Sequence, residues 1–329
     1  MKASVIIPTR NRARTLDACL RSLVTQSIGV DAFEVVVVDN GSTDDTLETA
    51  ARYKSMIDLK VVEAPEPGLH VARHAGMRAA GSEILVFGDD DIVAGPGWVA
   101  SVVDAFSEGE VALVGGNNLP LFERAPPDWL TRLWERRFGA GRALATLSIL
   151  DFGEGRFDVD PHYVWGCNFS VRRDVLLSAG GFHPDAMPAD RIHLRGDGES
   201  HVSEWIRLAG MRAVFDSGAS VHHTVPASRM TSDYFSQRAY AQGISDSYTD
   251  IRTHGTSRCP VSVRIRRRAR NLARHVAAAA RHPTTSAGRE SGRVVRRSLL
   301  GWQSGYDFHQ RAVDEDPELL AWVTKENYL

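Results

Sequence analysis

Cysteine and lysine are scarce in this 329-residue chain, and long apolar runs are missing altogether. The three cysteines, Cys19, Cys167 and Cys259, are odd in number and widely spaced. Such spacing builds neither a disulfide framework nor a zinc site, and it points to a reducing cytoplasm. No stretch reaches the roughly 18 consecutive apolar residues of a transmembrane helix. The opening residues, Met1 to Pro8, enter a strand pattern at once, so no signal peptide is expected. Lysine supplies only 4 of the 39 basic residues and arginine the other 35, a preference ascribed to base composition rather than to function. Also absent are the glycine-rich phosphate loops of two large nucleotide-binding classes. Ile7-Pro8-Thr9-Arg10-Asn11-Arg12 follows the first strand where a dinucleotide fold carries Gly-x-Gly-x-x-Gly, and no Gly-x-x-x-x-Gly-Lys-Ser/Thr occurs. A nicotinamide dehydrogenase and a P-loop enzyme are thereby disfavoured.

What is present reads as an ordinary globular protein, 43% hydrophobic and 24% charged, long enough for one large domain with an appendage. Strand and helix patterns alternate through the first 117 residues. Strands are expected at 5–7, 33–38, 59–62, 84–87 and 111–114, and helices at 13–24, 70–80 and 96–106, with a further helix capped by Ser42 or Thr43. Repeated alternation of this length predicts an α/β fold with a mostly parallel sheet flanked by helices. The fourth strand runs straight into Asp89, Asp90 and Asp91. Three adjacent carboxylates repel one another, and they persist most easily around a cation. The carboxyl ends of strands are where an open α/β sheet binds ligands. The triplet therefore predicts a divalent metal held by oxygen ligands, against the plainer alternative of a solvated acidic turn.

Four blocks carry a resemblance: Val5 to Arg12, Val36 to Asp44, Gly68 to Arg73, and Phe87 to Asp91. In order and spacing they are similar to the family-2 glycosyltransferases, inverting nucleotide-sugar enzymes with the GT-A (nucleotide-diphospho-sugar transferase) fold. The match continues through Trp165 to Arg173, Gly180-Gly181-Phe182, and Gly198-Glu199 ahead of Arg207 to Gly210. The resemblance implies a nucleotide-sugar-binding half over 1–117, an acceptor-binding and catalytic half of the same domain over 118–230, and a helical Arg-rich extension over 231–329. It implies a nucleotide-diphospho-sugar donor, with a UDP-sugar expected. Pro8, Thr9, Arg12, Asp39, Gly68, Arg73, Asp89 and Asp90 would bind that donor, Asp39 through its uracil or ribose. Asp91 and His223 would hold Mn²⁺ or Mg²⁺, which neutralises the departing diphosphate. Arg73 is otherwise a plain helix arginine and His223 a structural histidine. His74 stands where the family often has asparagine.

The catalytic base matches the position of Glu199, with Asp197 as the alternative two residues earlier. Acids that merely favour a helix N-terminus are the simplest account of both. Trp165 and Asn168 fall on the acceptor side, although core packing explains Trp165 equally well. The acceptor is expected to be a glycan, a lipid-linked glycan or a small natural product. A sugar-1-phosphate nucleotidyltransferase and a non-catalytic nucleotide-sugar-binding scaffold are the competing readings.

Charge is unevenly placed. Between Arg264 and Arg297 there are 11 arginines and one acid, Glu290, with a helix expected over 263–280. A solvated or dimer-forming face is one reading of that run. Peripheral contact with anionic lipid at the inner face of the membrane is the other, expected to be electrostatic and easily reversed by salt because the alanine-rich stretch over 269–280 offers few large apolar side chains. Nucleic acid is not expected as a partner, for no aromatic residues are interleaved with the arginines.

Overall fold

A computed structural model describes residues 2–139, 141–256, 260–280 and 286–329; Cys259 and Arg281 lie outside them. Among the described residues the strands, in chain order, are β1 Ala3–Thr9, β2 Phe33–Asp39, β3 Leu59–Glu63, β4 Ile84–Gly88, β5 Ile92–Ala94, β6 Val111–Gly115, β7 Asn118–Phe122, β8 Arg137–Phe138, β9 Gly141–Leu144, β10 Ile149–Asp151, β11 Arg156–Asp158, β12 Asn168–Arg172, β13 Arg212–Asp216 and β14 Val221–Val225. The helices are α1 Ala13–Val24, α2 Thr46–Arg52, α3 Leu69–Ala79, α4 Trp98–Ala105, α5 Asp128–Trp134, α6 Arg173–Ser178, α7 Ser200–Leu208, α8 Ser232–His254, α9 Val261–Ala280, α10 Ser286–Glu315 and α11 Pro317–Thr324.

Eight strands form the main sheet in the order β11-β13-β6-β12-β4-β1-β2-β3. The β1–β2, β2–β3, β1–β4 and β6–β13 pairs are parallel, while β12 and β11 run antiparallel to their neighbours. The chain builds outward from β1 through β2 to β3, then returns to place β4 on the other side of β1. This reversal opens a crevice between the carboxyl ends of β1 and β4, the usual ligand position in such a sheet.

Strand burial follows from helices on both faces. Val5, Ile7, Val35 and Val37 pack on one side with Leu16, Cys19, Leu20 and Leu23 of α1 and Trp98 of α4. Ile6, Val36 and Val38 pack on the other with Ala72 and Met77 of α3 and Val202 and Ile206 of α7. Period-2 alternation thus fills two cores, which is why β1 and β2 are continuous apolar runs. Glu34 interrupts β2 without opening it to water. It accepts from Ser4 Oγ (2.6 Å) and Gly81 N (2.5 Å) and pairs with Lys60 Nζ at 2.5 Å.

A second sheet, β5-β14-β7-β10-β9-β8, has no counterpart in the sequence-based expectation. Its strands are short, and only β7 and β14 run parallel within it. The helix after β2 also differs in its start. Ser42 and Thr43 do not cap it; Asp44 Oδ1 accepts from Thr46 N at 3.1 Å. Thr43 N instead donates to Asn11 Oδ1 (2.7 Å), and Ser42 Oγ accepts from Asn11 N (2.9 Å), tying the β1 and β2 loops together.

The C-terminal helices are packed onto this body. Val294 of α10 joins Trp129, Leu130 and Trp134 of α5 and Phe235 of α8, and Val323 of α11 joins Tyr248 and Ile251 of α8. Helices α8 and α10 approach backbone to backbone. A Cβ on Gly305 would lie 2.0 Å from Tyr240 O, and one on Gly243 2.1 Å from Trp302 O. Because backbone cannot swing aside, Gly243→Ala and Gly305→Ala should each cost about 1–3 kcal/mol in urea unfolding. Gly292→Ala, where a Cβ meets nothing within 4 Å, should be neutral or stabilising by up to about 1 kcal/mol.

Candidate active site

The crevice beside β1 and β4 is a cleft of about 330 Å³ lined by Pro8, Thr9, Arg12, Asn40, Gly68, Leu69, Asp89, Asp90, Asp91, Ala186, Pro188 and Arg229, among others. The three acids divide their attention. Asp90 turns toward β1, where its Oδ2 accepts from Thr9 Oγ1 at 2.8 Å. Asp89 and Asp91 group with His223, and one ligand atom from each of the three lies within 4.8 Å of the others.

The second sheet delivers that histidine. β14 pairs antiparallel with β5, setting His223 opposite Ile92, and Thr224 N donates to Asp91 O at 2.9 Å. Alternation along β14 exposes His222 and buries His223. His223 Nε2 lies 3.3 Å from Asp91 Oδ1, yet that oxygen and His223 Nδ1 are both buried without a hydrogen-bond partner. An unsatisfied buried carboxylate oxygen calls for a ligand, and two carboxylates with an imidazole are donors a divalent cation can take.

Arginines from three elements balance the acids. Arg12 Nη1 lies 3.0 Å from Asp91 Oδ2 and 3.7 Å from Asp90 Oδ1. Arg229 Nη2 lies 3.4 Å from Asp91 Oδ2. Arg73 Nη2 lies 3.6 Å from Asp89 Oδ1, and its Nη1 3.4 Å from Glu199 Oε2. Burial works to raise every carboxyl here, and the neighbours decide the outcome. Asp91 overcomes burial through His223, Arg229 and Arg12 and falls to about 2. Asp90 does not: burial, with the like charge of Asp91, outweighs Arg12 and lifts it to about 7. Asp89 is also raised, by burial first, against the pull of Arg73.

Glu199 stands at the start of α7 and reaches the acids through Arg73. Its Oε1 accepts from Gly166 N at 3.0 Å, and Arg73 Nη2 donates to Gly166 O at 3.1 Å. A side chain at 166 would collide with both, since a Cβ there lies 2.3 Å from Arg73 Nη2 and 3.0 Å from Glu199 Oε1. Arg73 is 3% exposed, so it joins Asp89 to Glu199 from behind the cleft instead of lining it. His74 accepts from Phe182 N at 2.8 Å and stacks on the Phe182 ring; burial pushes it down to about 3, which keeps it a neutral acceptor.

Other expected residues lie apart from the cleft. Asp197 points away: its Oδ1 is 2.7 Å from His183 Nδ1, and its Oδ2 accepts from Thr249 Oγ1 at 2.8 Å. Asp39 ends β2, but its oxygens accept from Ser42 N at 3.2 and 3.1 Å inside the turn. Asn168 is fully engaged within the fold, accepting from Trp98 Nε1 (2.8 Å) and donating to Ala219 O (2.9 Å). Trp165 donates to His162 O at 2.9 Å and packs against two core clusters. Neither residue lines the cleft. Arg229 does, and the sequence analysis had not singled it out. It closes a short turn, Ala227–Arg229, and one arginine among 35 carries no mark of its own.

The sequence profile described as glycosyl transferase family 2 matches residues 4–177. Validoxylamine A glucosyltransferase of Streptomyces hygroscopicus subsp. jinggangensis is 32% identical over 198 residues, 55% of this chain and 47% of that protein. Glucosyl-dolichyl phosphate glucuronosyltransferase of Haloferax volcanii is 23% identical over 254 residues, covering 76% of this chain and 78% of that one. The chain spans about half the length of the first curated relatives it matches. Among solved structures, the mannosyltransferase PcManGT of Pyrobaculum calidifontis, in complex with GDP-Man and Mn²⁺, superposes with a TM-score of 0.55 at 22% identity, over 95% of this chain and 86% of that one. That likeness establishes the GT-A fold.

The environment of Asp197 generates a pH prediction. Burial alone would raise its carboxyl, but the His183 contact, aided by His201 and Thr249, holds it below the usual range. A lowered folded-state value contributes stability above about pH 4 that is lost as pH falls through that value. Asp197→Asn should therefore lower the melting temperature at pH 7, and the gap to the unaltered chain should close toward about pH 3.

Proposed function

The chain belongs to glycosyltransferase family 2, and from that premise we propose a metal-dependent, inverting transfer of one sugar from a nucleotide-diphosphate donor to an acceptor hydroxyl or amine. The observation that carries the reading is the Asp89–Asp91–His223 group at the carboxyl-end cleft, joined to Glu199 through Arg73. Asp89, Asp91 and His223 would hold the ion, which when bound supplies positive charge against the departing diphosphate.

The chain's own residues account for the rest. Arg12 and Arg229 line the cleft with guanidinium groups suited to phosphate oxygens. Pro8, Thr9 and Gly68 bound the space for the base and ribose, and Asp39 ends the neighbouring strand. A uracil-bearing donor is expected from the resemblance of Asp39 to the family's base- or ribose-binding carboxylate. Glu199 takes the proton from the acceptor oxygen or nitrogen as that atom attacks the anomeric carbon and the bond to the diphosphate oxygen breaks. One displacement inverts the anomeric centre. Gly166 N–H and Arg73 hold the Glu199 carboxylate in one orientation, while Asp197 braces the loop before it through His183 and Thr249. The acceptor is expected to be a glycan, a lipid-linked glycan or a small natural product.

A thermal-shift titration with UDP and GDP, with and without Mn²⁺, tests the donor site, because a ligand of the folded state raises the melting temperature. The shift should need Mn²⁺, and Asp91→Ala should abolish that dependence while the protein stays folded. Equal shifts with and without the ion in the unaltered chain would remove the metal from the reading. Glu199→Gln should keep nucleotide affinity and lower turnover of the matching nucleotide sugar by roughly 10²-fold or more. If Asp197→Asn cripples turnover and Glu199→Gln does not, the base lies two residues earlier.

A further inference from the structure

The arginine-rich helices carry an apolar face that the rest of the fold leaves uncovered. Val261, Ile265, Leu272 and Val276 fall within about 60° of one another at the spacing of an α-helix. They are 52 to 66% exposed. Helix α10 runs beside α9, and Leu272 and Val276 meet Val295 and Leu299 along an apolar groove of about 770 Å³ with Arg293 and Arg296 at its edge. Few large apolar side chains are expected over the alanine-rich stretch 269–280. Large apolar side chains are few there, but they share one stripe, and α10 adds to it.

The charge around the groove decides what covers it. Arg268 and Arg297 are held by Asp307 and Asp233, each at 2.5 Å. Arg293 and Arg296 at the groove and Arg266 nearer the stripe are exposed and enter no ion pair among the described residues, whereas Arg270 lies about 150° round α9 from the stripe's centre. Glu290 is the sole acid between residues 264 and 297. A second copy seated face to face would set arginines against arginines. An anionic bilayer offers both complements at once, phosphate oxygens for the guanidinium groups and an acyl boundary for the stripe. Among the described residues, no helix is long and apolar enough to cross a membrane. A helix pair lying in the interface needs no such length.

We propose that the α9–α10 face docks on an anionic lipid bilayer, with Ile265, Leu272 and Val276 entering the headgroup–acyl boundary and the exposed arginines pairing with lipid phosphates. The proposal is independent of the transfer chemistry. Its charge-dependent part fades with salt as screening shortens, and its apolar part persists.

Co-sedimentation of the full chain with phosphatidylcholine vesicles, and with vesicles that also contain phosphatidylglycerol, at low and high salt, tests it. Binding should require phosphatidylglycerol, weaken in salt and leave a residue at high salt. Ile265→Ser with Leu272→Ser and Val276→Ser should remove that residue and weaken low-salt binding roughly tenfold or more. Arg266→Glu with Arg293→Glu and Arg296→Glu should weaken low-salt binding at least as much. Circular-dichroism melting checks that both variants fold; all six side chains are exposed, so both should. Failure of the unaltered chain to bind phosphatidylglycerol vesicles at low salt would overturn the proposal. So would unchanged binding by the folded serine variant. A dimer seen by light scattering, dispersed by the serine changes and indifferent to vesicles, would make the groove an interface between copies instead.

Discussion

The crowding of three carboxylates at the end of β4 is the constraint around which this molecule is arranged. The sheet imposes it: the reversal that puts β4 beside β1 brings Asp89, Asp90 and Asp91 to the end of β1, where Thr9 and Arg12 already stand. Unbalanced, the triplet would oppose folding. Its counter-charges come from elements far apart in the chain, Arg12 before α1, Arg73 in α3, His223 in β14 and Arg229 in the turn beyond it. The acids therefore help to fix how the two sheets meet, because His223 and Arg229 reach them only when β14 pairs with β5.

The same arrangement gives neighbouring carboxyls opposite tendencies. Asp91 has three basic partners and stays strongly acidic; Asp90, one residue earlier, has Thr9 and a more distant Arg12, and burial prevails. Asp90 also turns to β1 while Asp89 and Asp91 turn together toward His223. The sorting leaves two carboxylates beside His223 on one side and a hydrogen-bonded carboxyl on the other. Arg73 then links that side to Glu199, and Gly166 allows the link by having no side chain.

Much of this was readable in advance, and the limits have physical causes. Continuous β-branched runs with helical apolar spacing between them announced β1 to β4, α1 and α3, because local pattern and burial agree there. The expected helix over 13–24 coincides with α1. Asp89 and Asp91 were marked by their crowding and His223 by the family resemblance, and the three do converge. The second sheet was not legible, since strands of two to five residues with mixed burial show no clear period. Asn168 and Trp165 show a related limit: a polar or aromatic residue in a motif looks the same whether it faces a ligand or, as Asn168 does, Trp98 inside the fold. Between Asp197 and Glu199, two positions cannot be told apart by composition. Their contacts differ, Asp197 bonding His183 and Thr249 and Glu199 bonding Gly166 N and Arg73.

Balance by arginine also bears on how such a site changes state. Arg12 is partly exposed and Arg229 lines the cleft, so both can exchange a carboxylate partner for phosphate oxygens without crossing the core. Arg73 cannot, being enclosed by Phe182, Gly166 and Glu199. A cation among the acids and a diphosphate beside the two cleft arginines would be mutually supporting. Asp89 and Asp91 would then be neutralised by the ion, and the guanidinium groups of Arg12 and Arg229 could pair with phosphate oxygens instead. Either ligand alone leaves like charges facing each other at close range. In the proposed site ion and diphosphate would bind as a coupled pair, with the coupling set by how fully the arginines are committed to Asp91 beforehand.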